Sequence, residues 1–263
     1  MDLGLRGRGA AVAAASRGLG RATAHALARE GASVAMCGRD ETRIRESADE
    51  IARETGASTL AVVADVARAD DCQRFVDAAA ARFGRLDILV TNTGGPPPGS
   101  FDAVDEPRWE EAFRTTLANV FHLVRAAVPH MKTNRWGRIV NIASLSAKQP
   151  IDGLLLSNVF RPAIVGLAKT LANELGADGI LVNTVCPGYT RTDRLQEVAE
   201  ARAKAGGTTP EKVLAELAKA VPLGRVAEPE EFAAVVAFLC SELASFVTGV
   251  TLAVDGGACK GLL

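Results

Sequence analysis

Ala10-Ala11-Val12-Ala13-Ala14-Ala15-Ser16-Arg17-Gly18-Leu19-Gly20 is the stretch whose reading decides the fold. Its first half is small and apolar, as a buried strand of a parallel sheet is. Its second half is a glycine-bearing turn, after which apolar residues recur at three-to-four spacing over 18–30, the period of an amphipathic helix. A strand that ends in a tight turn and opens a helix aims free backbone N–H groups at a pyrophosphate. Gly18 and Gly20 allow close backbone approach and close helix packing. Ala14, Ser16, Arg17, Gly18, Leu19 and Gly20 are therefore the candidate phosphate-binding residues. A lone Gly-x-Gly is weak by itself; its place directly after the first strand strengthens it.

The same alternation runs the length of the chain. Strands are predicted over 10–14, 33–36, 59–63, 88–90, 138–142, 181–185 and 251–254. Helical patterns fall over 18–30, 41–55, 68–83, 108–132, 160–176 and 229–240. This rhythm predicts an α/β fold: a single Rossmann-type doubly wound parallel sheet of about seven strands with helices on both faces. We expect one domain over 1–263. The rhythm breaks once, over about 189–225, a charged, Ala-rich insertion containing Gly206-Gly207 that reads as a helical pair.

Composition narrows the partners. A formal net charge of −1 with interspersed signs argues against nucleic acid and against a membrane surface. No basic start leads into an apolar leader, so a cytoplasmic protein is expected. The five cysteines, Cys37, Cys72, Cys186, Cys240 and Cys259, are scattered and read as free thiols. His25, His122 and His130 form no ligand cluster, and no metal is expected.

Further landmarks follow in order: Asp65-Val66, Thr91-Asn92-Thr93-Gly94, Asn141-Ile142-Ala143-Ser144, Pro187-Gly188 and Asp255-Gly256-Gly257. At these separations the chain resembles the short-chain dehydrogenase/reductase family, close to 3-oxoacyl-[acyl-carrier-protein] reductases. The resemblance implies a nicotinamide cofactor, a carbonyl or alcohol substrate with an acyl thioester as one candidate, a mobile lid over 189–225 and a homotetramer. It places Asp65 and Val66 at the adenine, Asn92, Gly94, Pro187 and Gly188 along the cofactor, and Thr192 at the carboxamide.

Several positions depart from the family pattern. Ala13 and Ala14 stand where threonine and glycine are usual. The family's catalytic serine is Ser144, but its tyrosine position holds Ser157, its lysine position Arg161 and its asparagine position Thr116. A phenol, with an ordinary pKa near 10, can be tuned toward neutrality by a neighbouring cation; an aliphatic hydroxyl is a far weaker acid. Arg161 stays charged, and its fork suits two ribose hydroxyls. Tyr189, the one tyrosine, is the fallback acid, although packing under the lid is its more ordinary role. Pro162 removes a helical N–H, so the helix there is expected to start late or kink, displacing Ser157. The loop Thr93-Gly94-Gly95-Pro96-Pro97-Pro98-Gly99 reads either as a rigid pocket wall or as a stiff surface turn.

Cofactor choice is read from charge. The second strand, running to Arg39, carries no acid for a ribose 2′-hydroxyl, and Arg17 with Arg39 would clamp a 2′-phosphate, favouring NADP(H). Asp40 is expected to cap the following helix. Two functions compete: an atypical NADP(H)-dependent oxidoreductase, and a catalytically silent member that binds a nucleotide or acyl ligand. The first requires cofactor turnover; the second needs binding alone.

Overall fold

The computed structural model describes residues 2–261. Seven parallel strands form one sheet in the order β3-β2-β1-β4-β5-β6-β7. They are β1 (Gly9–Val12), β2 (Ser33–Gly38), β3 (Thr59–Val63), β4 (Ile88–Thr91), β5 (Gly137–Ile142), β6 (Ile180–Pro187) and β7 (Thr251–Val254). The helices are α1 (Gly18–Arg29), α2 (Glu41–Thr55), α3 (Ala69–Phe83), α4 (Glu106–Phe113), α5 (Asn119–Asn134), α6 (Leu155–Leu175), α7 (Asp193–Gly206), α8 (Pro210–Lys219) and α9 (Pro229–Leu239). This is the doubly wound sheet that the strand-helix rhythm predicts. The order reverses between β1 and β4, so a crevice forms beyond their carboxyl ends.

Each face of the sheet closes its own core. Leu89, Ile139 and Val182 pack under Phe75 of α3, Leu123 of α5 and Ile164 of α6. Val34, Val90 and Val185 pack under Leu27 of α1, Ile51 of α2 and Phe232 of α9. Complete burial of a side chain such as Phe75 or Phe232 contributes roughly 2–3 kcal/mol. The long helices α5 and α6 contribute their apolar residues to the first of these cores. Val120, Leu123, Val124 and Ile164 are buried, and Leu117, Leu167 and Leu171 pack against the same core.

Two helices differ from the sequence-based expectation. The segment expected as one helix over 108–132 is interrupted by a π-helical turn, Arg114–Ala118, with Thr116 inside it. No proline or glycine marks that turn, and such turns are held by surrounding packing. The second correction concerns Pro162: α6 is one continuous helix from Leu155 to Leu175 and neither starts late nor breaks. Pro162 lies on the exposed face, so the carbonyl of Asn158 that loses its helical donor can be hydrated. Leu156, Ser157, Phe160, Arg161 and Ile164 on the opposite face are buried and hold the helix together. Ser157 and Arg161 thus share one face of a regular helix.

β1 is shorter than expected, ending at Val12, because Ala14 takes a left-handed conformation with φ 47°. A side chain there costs about 1–2 kcal/mol, whereas glycine costs little. At the opposite end of the sheet, fully buried Asp87 accepts from the Gly9 N–H at 2.9 Å and from Arg85 Nε and Nη2. Arg8 lies 3.6 Å away. Substituting Asp87→Ala would leave the β1 amide without its acceptor and Arg85 without its carboxylate, while Arg8 keeps Glu242 at 2.7 Å, and is expected to cost about 3 kcal/mol in urea unfolding. Substituting Ala14→Gly is expected to stabilise by about 1 kcal/mol, read as a rise of roughly 2–4 °C in Tm.

Candidate active site

The turn after β1 is built to leave amides free. Ala13 N–H donates to Val90 O and Ala15 N–H to Cys37 O, tying it to β4 and β2. Asn92, at the end of β4, donates from Nδ2 to Ala14 O at 3.1 Å. A Cβ on Gly20 would collide with that same carbonyl and come within 2.8 Å of Asn92 Nδ2, so only glycine fits. Gly18 takes φ 57°. Arg17 is the N-cap of α1, offers no side-chain cap, and the first turn carries no acid. The opening amides of α1 therefore face the crevice without a competing partner, the arrangement that suits a pyrophosphate. Ser16 lies against Gly38, and Leu19 packs into the α1 core.

Asp65 and Val66, which the family resemblance would put at the adenine, follow β3. Asp65 Oδ1 accepts from the Ala67 N–H, and the Asp65 N–H donates to Asp71 at 2.8 Å. That hydrogen bond, with Arg74 alongside, holds the Asp71 carboxyl below its ordinary range. Asp40 caps α2 by accepting from the Arg43 N–H. Arg39 is exposed at the end of β2 and makes no ion pair among the described residues. Arg17 does not join it: Nη1 lies 3.0 Å from Asp193 Oδ2 and Nη2 3.6 Å from Glu197 Oε1, both on α7. The expected two-arginine clamp is thus only half free.

Across the crevice, β5 delivers Ser144 and α6 delivers Ser157 and Arg161. The Ser144 Oγ accepts from the Ser146 N–H at 3.2 Å. The Ser146 Oγ lies 2.8 Å from the Ser157 Oγ, making one chain of three serines. Ser146 and Ser157 are both buried. Arg161, 5 % exposed, donates from Nη1 to Ile142 O at 2.9 Å, while its buried Nε has no protein partner. Burial pulls the guanidinium down to about 10, so it stays protonated at neutral pH. The Thr116 hydroxyl, also buried and unpartnered, sits in the π turn that packs on α6. Ser146 escaped sequence reasoning: nothing in its spacing distinguishes it from any loop serine.

The remaining candidates separate. Tyr189, partly buried, packs against the cluster of Leu195, Val213, Leu217 and Val226 around α7 and α8, in keeping with its more ordinary role under the lid. Gly188 abuts Asp255, where a Cβ would lie 2.6 Å from the Asp255 Cα, and Pro187 closes β6. Thr192 caps α7 by accepting from the Leu195 N–H and lies against Gly18. Gly94 is exposed with open space beside it. The proline loop is pinned at both ends. Thr93 Oγ1 donates to Thr115 O in the π turn at 2.8 Å, and Gly99 pairs with Gly153 and Leu155 at the start of α6. That anchoring favours the pocket-wall reading. Cys37, Cys72, Cys186 and Cys240 are buried free thiols and Cys259 is half-buried. No helix among the described residues is long and apolar enough to cross a membrane.

Comparison with known proteins agrees with this geometry. The family described as "Enoyl-(Acyl carrier protein) reductase" matches residues 13–259. "3-oxoacyl-[acyl-carrier-protein] reductase FabG" of Aquifex aeolicus is 32 % identical over 257 residues, covering 98 % of this chain and 99 % of that one. "Dehydrogenase/reductase SDR family member 4" of Oryctolagus cuniculus is 35 % identical over 95 % of this chain and 92 % of its own length. Among solved structures, L-sorbose reductase of Gluconobacter frateurii, complexed with NADPH and L-sorbose, superposes with a TM-score of 0.95 at 33 % identity, covering both chains completely. With an uncapped phosphate turn, a serine at the head of β5 and these relatives along its whole length, the chain belongs to the short-chain dehydrogenase/reductase family of oxidoreductases.

Proposed function

We propose that this protein is an NADP(H)-dependent reductase of a carbonyl substrate, of which a 3-oxoacyl thioester is the first to try. The observation that carries the reading is the pairing of two preserved halves. A helix N-terminus with free amides lies on one side of the crevice, and a serine chain beside a buried guanidinium lies on the other. The NADPH-bound sorbose reductase and the acyl-carrier-protein reductase relative support the cofactor and the substrate class.

Ala14 to Gly20 would hold the pyrophosphate, Arg39 the 2′-phosphate, Asp65 and Val66 the adenine. Asn92, Gly94, Pro187, Gly188 and Thr192 would line the remainder. Arg161 would offer its unpartnered Nε–H to a ribose hydroxyl. The bound nicotinamide supplies hydride; the protein supplies hydrogen-bond donors where negative charge develops on the carbonyl oxygen. Ser144 suits this, because its Oγ already accepts from the Ser146 N–H and its own proton is free to point at substrate. Ser157, held through Ser146, is a second donor. An aliphatic hydroxyl is too weak an acid to give up its proton, so this set stabilises the oxyanion by hydrogen bonding and fixed charge. The alkoxide left by hydride transfer takes its proton from solvent water to give the alcohol.

Exposed Phe101, Trp109, Phe113, Phe121 and Val159, together with Phe246, are the surfaces through which a homotetramer would form. The four buried free thiols suit a reducing cytoplasm.

One structural feature favours the silent-binder alternative: Ser157 is already engaged by Ser146, and Arg161 by Ile142. Turnover separates the two. NADPH oxidation with a panel of 3-oxoacyl thioesters, ketoses and aldehydes is expected to show activity on at least one. The Ser144→Ala variant is expected to lose roughly a hundredfold in kcat/KM with unchanged NADPH affinity. Binding of NADPH without oxidation across the whole panel would establish the silent binder.

A further inference from the structure

We propose that Asp193 and Glu197, at the start of α7, set the cofactor preference of this chain by holding the Arg17 guanidinium that a ribose 2′-phosphate requires. The inference rests on the nucleotide-binding reading above and adds two residues to it.

Arg17 belongs to the phosphate turn by its backbone and to α7 by its side chain. Asp193 and Glu197 stand one helical turn apart, so both carboxylates reach the same guanidinium. The Nη1–Oδ2 distance to Asp193 is 3.0 Å and the Nη2–Oε1 distance to Glu197 is 3.6 Å. Glu197 is shared with Arg194, its Oε2 lying 3.4 Å from Arg194 Nη1, which leaves Asp193 the stronger partner of Arg17. Contact of Thr192 with Gly18 brings the two segments together, since a Cβ on Gly18 would sit 3.5 Å from Thr192 Cγ2. Behind this contact Thr192, Leu195 and Gln196 line a cavity of about 300 Å³ shared with Leu214 and Val226. Arg191 also ties this end, its backbone N–H donating to Ala227 O at 2.8 Å and its Nε to Glu228 at 2.8 Å, so release of Arg17 need not unfasten α7.

Charge then decides between nucleotides. NADP(H) carries about two extra negative charges that NAD(H) lacks. To reach Arg17, a 2′-phosphate must displace two carboxylates already in place, and those carboxylates repel it as well. NAD(H) meets neither cost. Arg39, free of such partners, is the constant cation of the site, and Arg17 is the one whose availability the acids control. Arg17, Asp193 and Glu197 are each about half exposed or more, so each bridge is weak and solvent-screened. The preference they set is correspondingly modest, roughly threefold to tenfold.

The test measures dissociation constants for NADPH and NADH by nicotinamide fluorescence. The proteins are the unaltered chain, the Asp193→Asn/Glu197→Gln variant, Arg17→Ala, and the three changes combined. Freeing Arg17 is expected to tighten NADPH about fivefold and to leave NADH within about twofold. In the Arg17→Ala background the same acid substitutions are expected to yield a much smaller gain. Hydrogen exchange over 193–206 is a second readout: NADPH, but not NADH, is expected to speed exchange in the unaltered chain as the bridge is exchanged for phosphate. Equal changes for both nucleotides would mean that the acids act only on α7 stability, and would overturn the proposal. Weaker NADPH binding in the acid variant would overturn it too, showing that Arg17 holds carboxylate and phosphate together. Full additivity with Arg17→Ala would assign the effect to repulsion alone. If the unaltered chain binds neither nucleotide, the cofactor reading falls and this inference with it; binding of both with unaltered preference sinks only the inference.

Discussion

Between Val12 and Gly18 the chain must leave the middle of a parallel sheet and enter a helix while keeping the helix's first amides unpaired. It does so by forcing Ala14 into the left-handed region and pinning its carbonyl with Asn92 Nδ2. Gly20 must then lack a side chain, because that carbonyl and that amide occupy the space a Cβ would fill. One strained residue thereby joins three elements: β1 through its own chain, β4 through Asn92, and α1 through Gly20. A locally unfavourable alanine persists because the surroundings over-determine its conformation. The crevice, the orientation of α1 and the place of Arg17 all follow from this turn.

On the facing side the organising constraint is a buried charge. Arg161 is almost fully enclosed, has no carboxylate within ion-pair distance among the described residues, and is neutralised in part by the Ile142 carbonyl. Such a group costs free energy unless something polar meets it, and its buried Nε has no protein partner. The same helix face presents Ser157 one turn earlier, linked through Ser146 to Ser144. Where the family resemblance would place a phenol and an ammonium, this chain has a hydroxyl and a guanidinium on one unbroken helix. Fold and family are thus established by the whole chain, while the chemistry turns on three side chains, Thr116, Ser157 and Arg161, that depart from the family pattern.

The α7–α8 pair has a small core of its own, and Tyr189, the one tyrosine, packs partly buried against it. Its first turn supplies both the cap residue Thr192 and the carboxylates that engage Arg17.

Much of this was legible before any coordinates. Alternation of short apolar runs with three-to-four periodicity points to a parallel sheet covered by helices, because continuous apolar strands need burial on both faces; the open, doubly wound strand order is seen in the structure. The glycine turn, Asn92, Ser144 and the cap at Asp40 are local or motif-bound signals, and they fall where their spacing puts them. Tertiary structure alone decided the rest. Pro162 reads as a helix breaker from its covalent chemistry, but it faces solvent, and packing of the opposite face carries α6 straight through it. The π turn at Arg114–Ala118 has no sequence mark, since it is stabilised by neighbours such as Thr93. Arg17 reads as a phosphate ligand until the fold brings Asp193 and Glu197, far along the chain, within reach of it. Local propensity and period are written residue by residue; the partner of a side chain is fixed only when distant segments meet.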